Sequence, residues 1–279
     1  MSHDEQLAWE ARAGKPAAAA AFLAALLAIV AGVYLPLALT NNPDGADELL
    51  RAADTESGDF VVAGVLQALG LLLVIPVLLY LFRATRYRNP RLMPAAAVLA
   101  VLGAVTVAVV TIFRQLELLD IADSFFPEHA QGAQDLEQVA EDYIQDELSP
   151  ALQGISLGGS IALAFAMIMI SLNAMRAGLF SRFIGILGIF VGVLFVIPLG
   201  VQILQLFWFG ALGLLLLNRW PGGRGPAWQT GEAMPWPGAA EQREEIERRR
   251  AEREGVQEPP AESEPEEERP ASRKRRKKR

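Results

Sequence analysis

From Pro16 to Asn218 the sequence runs through long apolar stretches that charged side chains almost never enter. A helix rises about 1.5 Å per residue, so roughly 20 apolar residues cross the ~30 Å hydrocarbon layer of a bilayer. Backbone N–H and C=O groups cannot be hydrated there, so stretches of this kind fold as helices that satisfy their own hydrogen bonds. An all-α, polytopic membrane fold is therefore expected, and the overall balance of 52% hydrophobic against 20% charged residues agrees with it. The apolar runs predict six spans, at about 16–39, 60–82, 94–113, 151–175, 180–198 and 201–218. The last two come from one uncharged run, Phe183 to Asn218, which as a single straight helix would be about 54 Å long. We read it as a hairpin that turns at Pro198-Leu199-Gly200.

Charge assigns the sides. Between the second and third runs lies Arg83-Ala84-Thr85-Arg86-Tyr87-Arg88-Asn89-Pro90-Arg91, read as a turn with four arginines. Short basic connections stay on the cytoplasmic face. Arg176, Arg182 and Arg219 fit the same side, whereas residues 40–59 carry six acids against Arg51, and residues 114–150 carry ten against Arg114. These two loops are placed outside, and Leu136, Val139, Ala140, Tyr143, Ile144 and Leu148 recur within the second at helical spacing, predicting an amphipathic cap helix. Both termini then face the cytoplasm of a cell-membrane protein. Residues 1–15 form a polar lead-in with Trp9 as an interfacial anchor. Acids offset Arg12 and Lys15 there, so the first run reads as a retained span rather than a secretory signal. Residues 221–279 form a charged tail, helical over 239–254 and otherwise disordered in composition.

With that topology, hydrogen-bonding side chains gather towards the outer face. Gln67 lies in the second span, Gln153, Ser156 and Ser160 in the fourth, Gln202 and Gln205 open the sixth, and Arg114 with Gln115 closes the third. Gln67, Arg114, Gln153, Ser156, Ser160 and Gln205 are the candidate ligand-binding residues of an outward polar cup, with Arg114 as its anion-pairing group. The competing reading is ordinary interhelical hydrogen bonding. Gly154 with Gly158, and Gly185, Gly188 and Gly192, are spaced for close helix packing within the bundle or between copies in a homo-oligomer. The terminal run Arg273, Lys274, Arg275, Arg276, Lys277, Lys278 and Arg279 is a topology anchor first and a contact for anionic lipid headgroups second, with nucleic acid last.

Catalytic chemistry finds little to work with. The absence of cysteine removes disulfides, thiolate metal sites and cysteine nucleophiles. His3 and His129 lie outside every expected span, and His129 with Glu128 and Asp123 is too sparse for a metal site. No catalytic residue, metal or cofactor is expected, and the chain is read as not an enzyme.

The segment Ser181-Arg182-Phe183-Ile184-Gly185-Ile186-Leu187-Gly188, with the exit Pro226-Ala227-Trp228-Gln229-Thr230-Gly231-Glu232-Ala233-Met234-Pro235-Trp236-Pro237, resembles uncharacterised six-span membrane proteins of high-GC actinobacteria, of the domain-of-unknown-function kind. The resemblance implies location and architecture and carries no activity. Two functional readings follow: a non-enzymatic scaffold or regulator acting through the charged tail, and a small-molecule channel, carrier or sensor using the polar cup.

Overall fold

The computed structural model describes residues 2–129, 135–197, 202–221, 223–234, 236, 247, 248, 250 and 251. Among these the fold is entirely helical: α1 (His3–Ala38), α2 (Ala46–Thr55), α3 (Ser57–Arg88), α4 (Ala95–His129), α5 (Leu136–Glu147), α6 (Pro150–Arg176), α7 (Arg182–Leu194), α8 (Gln202–Leu216) and α9 (Ala227–Thr230). The chain divides into two compact units, Met1–Trp236 and Pro237–Arg279. In the second, residues 247, 248, 250 and 251 are helical. The rest of the expected tail helix, and the basic run 273–279, fall outside the described residues.

Among the described residues four helices, not six, are long and apolar enough to cross a membrane: α1, α3, α4 and α6, with 36, 32, 32 and 27 residues in the qualifying segments. α7 and α8 have 13 and 15 residues, about 20 and 22 Å of helix, short of the ~30 Å layer. Ser181 caps the start of α7 by accepting from the Ile184 N–H, and α7 gives way to a turn at Phe195 and Val196. Ile197 precedes Pro198, a position that disfavours helical backbone.

The long helices overrun the expected limits. α1 starts at His3 because Ser2 and Glu5 close a capping box around its first turn, so most of the lead-in is helical. The arginine segment is not a turn throughout: α3 continues to Arg88, and the chain turns only from Asn89, which precedes Pro90. α4 continues past Phe113 to His129, because Leu118, Ile121, Ala122 and Phe125 maintain an apolar face. The expected outer loops are largely structured. α2 occupies much of 40–59, and α5 is the amphipathic cap helix, starting from Asp135, whose carboxylate accepts from the Gln138 N–H.

Packing is the inverse of a water-soluble protein. On α4 the buried positions Ala96, Ala100, Ala104 and Ala108 are at most 2% exposed, while Val98, Leu102, Val105 and Val109 face outward. α1 repeats this, with Ala17, Ala18, Ala20, Ala21, Ala24 and Ala25 inside and Leu23, Leu26, Ile29 and Val33 outside. Small residues inside let backbones approach, and large apolar faces outside suit a hydrocarbon solvent, so the arrangement suggests a membrane location. α4 and α6 approach tightly at Gly103, where a Cβ would collide with the backbone of Leu163 and Gly159. Gly185, Gly188 and Gly192 seat α7 on Met175, Ser171 and the Ala164 carbonyl, while Gly154 and Gly158 face open space.

The four long helices and the two short apolar ones follow one another around a ring, α1–α3–α4–α6–α7–α8, with α8 returning to α1. At one end, here the acidic end, α2 and α5 pack on the extension of α4 through Leu50, Phe60, Phe125 and Ala140. The other, the arginine end, gathers the start of α1, the end of α3 and α9.

Candidate functional site

Helical periodicity brings five hydrogen-bonding side chains onto one cavity of about 590 Å³ in the half of the bundle nearer the acidic end. α3 contributes Gln67 on the face that also carries Ala63, Gly70 and Val74, positions separated by three, four or seven residues and so stacked along one side. α4 contributes Thr111 and Gln115, four residues apart and in line with Val107. Ser160 comes from α6 and Gln205 from α8, while the facing wall of α1 is small, with Ala25, Ala28, Ala31 and Gly32. Among the described residues, none that lines the cavity is charged.

Four of these five polar groups are uncommitted. Thr111 donates to the Val107 carbonyl at 2.8 Å, within its own helix. Among the described residues, the side chains of Gln67, Gln115, Ser160 and Gln205 make no hydrogen bond to protein. Each amide can donate and accept, so together they offer a neutral surface able to recognise hydroxyl, amide or carbonyl groups.

Of the six residues expected to form the cup, Gln67, Ser160 and Gln205 share this cavity. Arg114 does not: it is exposed, and with Gln115, Leu118, Ile144 and Leu148 it borders a separate hollow of about 250 Å³ where α5 leans on α4. Gln153 is exposed and Ser156 half-buried on the first turns of α6, outside the lining. The side chain of Gln202 is outside the described part. Thr111 was missed by sequence reasoning, although its four-residue offset from Gln115 was a usable signal.

The arginine end holds the opposite arrangement. Arg88, its side chain 0% exposed, grips Glu10 through both terminal nitrogens, with Nη2 donating to Oε2 at 2.9 Å. Its Nε donates to the Ala227 carbonyl at 3.0 Å and Nη1 also to the Ala84 carbonyl at 2.9 Å, while Gln6 donates to Glu10 at 2.8 Å. Tyr80 donates to the Glu10 carbonyl and stacks between Trp9 and Trp228, whose indole N–H reaches the Leu179 carbonyl at 2.9 Å. Arg83 lies over the Trp9 ring and Arg224 over Trp228. Trp9, expected as an interfacial anchor, is thus built into a helix contact. The exit segment is folded onto the bundle, with Met234 donating to the Ala177 carbonyl and Gly231 in the left-handed region against the His3 ring. Thr85 Oγ1 and Trp236 Nε1 are buried here without a hydrogen-bond partner among the described residues.

A family model described as Domain of unknown function (DUF4386) matches residues 17–217. The chain belongs to this family. No curated protein and no solved structure matches it. All residues lining the cavity fall within the DUF4386 match, as does Arg88, whereas Glu10, Ala227 and Trp228 lie outside it.

Proposed function

We propose that this DUF4386 protein is a multi-pass protein of the cell membrane that binds a small uncharged molecule in the cavity at its acidic end, as a carrier or sensor. The observation that carries this reading is the convergence of Gln67, Thr111, Gln115, Ser160 and Gln205, from four helices, on one cavity that no charged side chain lines among the described residues. Polar side chains in membrane helices carry a desolvation cost, and ones left without protein partners mark sites where water or a ligand completes the hydrogen bonding. The acidic end is assigned to the outside and the arginine end, with both termini, to the cytoplasm. The sharing of one end by Glu10, Arg88 and Ala227 supports that assignment, as does the retention of arginines on the cytoplasmic face.

Thermal-shift measurements on the full-length detergent-purified protein, with a library of small solutes, test the reading. Stabilisation by uncharged polar solutes in the parent, lost in Gln67→Leu and Gln205→Leu, is expected. A folded parent that no solute stabilises, or variants that respond as the parent does, would remove the cavity as a binding site.

A second reading is a non-enzymatic scaffold or regulator acting through the charged tail. It is favoured by the long charged extension beyond the DUF4386 match, ending in Arg273 to Arg279. Contacts of that run with anionic headgroups, and homo-oligomerisation through glycine-bearing helices, belong to this reading. Deleting 239–279 should then abolish partner capture while leaving solute binding intact.

A further inference from the structure

We propose that the cavity's ligand is a neutral amphiphile, with an uncharged hydrogen-bonding head held near the acidic end and a short hydrocarbon body directed toward the bundle centre. This rests on the cavity reading above and adds a ligand class to it.

Packing contacts give the levels. A Cβ on Gly64 would meet the Gln115 side chain, so Gln115 sits beside the first turns of α3, near the acidic end. With α3 and α4 antiparallel, Thr111 lies one turn further in, level with Gln67. Deeper, Gly70 packs on α1 between Ala24 and Ala28, and Gly213 of α8 packs on Phe22. Ala25, Val74 and Phe209 therefore form the inner part of the cavity. Ser160, beside Gly159 and its contact with Val107, is the one polar side chain at that depth among the described lining residues. The polar lining is thus graded: the three amides and the Thr111 hydroxyl lie nearer the acidic end, alongside Leu35, and the inner part at Ala25, Val74 and Phe209 is apolar.

Charge selects against an ionic head. Two carboxylates on α3 and α4 at the acidic end are engaged elsewhere: Asp59 accepts from the Tyr34 hydroxyl at 2.7 Å, and Glu117 accepts from the Ser149 N–H at 2.8 Å. Arg114 borders the other hollow. A carboxylate or ammonium entering the main cavity would be desolvated with no counter-charge to meet it. A hydroxyl or amide would meet groups that both donate and accept. The volume is that of a single small-molecule site.

The test uses the full chain in lipid nanodiscs with three photoreactive probes of equal chain length: a diazirine-bearing octanol, the matching octanoate and the matching alkyl-trimethylammonium. Labelled positions are mapped by mass spectrometry. Saturable labelling by the octanol of peptides carrying Gln67 and Gln205 is expected, displaced by unlabelled 1-octanol. The charged probes should compete about tenfold more weakly or worse, and Gln67→Leu, Gln205→Leu and the floor-filling Val74→Trp should each lower the octanol labelling. Equal saturable labelling by a charged probe would overturn the neutral class while leaving the cavity as a binding site. Octanol labelling that survives both glutamine substitutions would overturn the placement of the head. Absence of saturable labelling by all three probes would overturn the binding site along with its ligand class.

Discussion

The two ends of this bundle treat buried polarity in opposite ways. At the arginine end, Glu10 and Arg88 are enclosed and matched: both carboxylate oxygens meet Arg88, and the remaining Arg88 nitrogen meets the Ala227 carbonyl. At the acidic end, three glutamines and a serine face a cavity without protein partners among the described residues. A matched network joins three chain segments, the start of α1, the end of α3 and α9, and its charges are spent on one another. An unmatched one contributes little to holding helices together, and its unmet hydrogen bonds are what a ligand can use. Structure and function are therefore read at different ends, although both are polar islands in an apolar bundle.

The comparison breaks most readily at Arg88. Arg88→Met should leave Glu10 buried and unpaired, costing about 3–5 kcal/mol in equilibrium unfolding of the detergent-solubilised protein, whereas Glu10→Gln combined with Arg88→Met should recover a large part of that loss. Two single substitutions and the pair, compared as a double-mutant cycle, measure the coupling directly.

Glycines sharpen it next. Gly103→Val should drive a side chain into the α6 backbone at Leu163 and Gly159, costing about 1–3 kcal/mol, with a matching drop in melting temperature. Gly158→Val, which meets nothing within the chain, should stay within about 0.5 kcal/mol. A smaller effect is expected at the exit: Trp228→Phe keeps the ring between Tyr80 and Arg224 but removes the indole donor to Leu179, for about 1 kcal/mol. The smallest stability change is expected at the cavity, where Gln67→Leu and Gln205→Leu exchange unpartnered amides for apolar side chains of similar size, and unfolding should be nearly unchanged or slightly shifted toward the folded state.

Much of the fold was legible because bilayer physics is coarse: long apolar runs dictate helices, and acidic and basic connections segregate. Helix ends were not legible in the same way. The Ser2–Glu5 capping box and the apolar face from Leu118 to Phe125 extend α1 and α4 through stretches whose charge density reads as loop. The paired span expected over 180–218 contracted to two short helices, since an uncharged run sets an upper limit on span length without setting where backbone hydrogen bonding stops. At the candidate site, Gln67, Ser160 and Gln205 could be gathered by depth alone. Depth does not give azimuth, however, and Arg114, Gln153 and Ser156 lie at suitable levels on other faces. Glu10 with Arg88 was hidden for a different reason: the partners are far apart in sequence, and each looks like an ordinary interfacial charge until α1 and α3 are packed together.

The central claim, that polar side chains at the acidic end line a cavity reachable from water, is tested most directly by thiol accessibility, since the chain contains no cysteine of its own. Single Gln67→Cys, Thr111→Cys and Gln205→Cys variants, alongside Leu78→Cys in the closed core, would be exposed in intact cells to a membrane-impermeant maleimide. The account predicts modification at the three cavity positions, slowed by 1-octanol, and none at position 78. Cavity positions as unreactive as position 78, in protein shown to be folded and in the membrane, would contradict it.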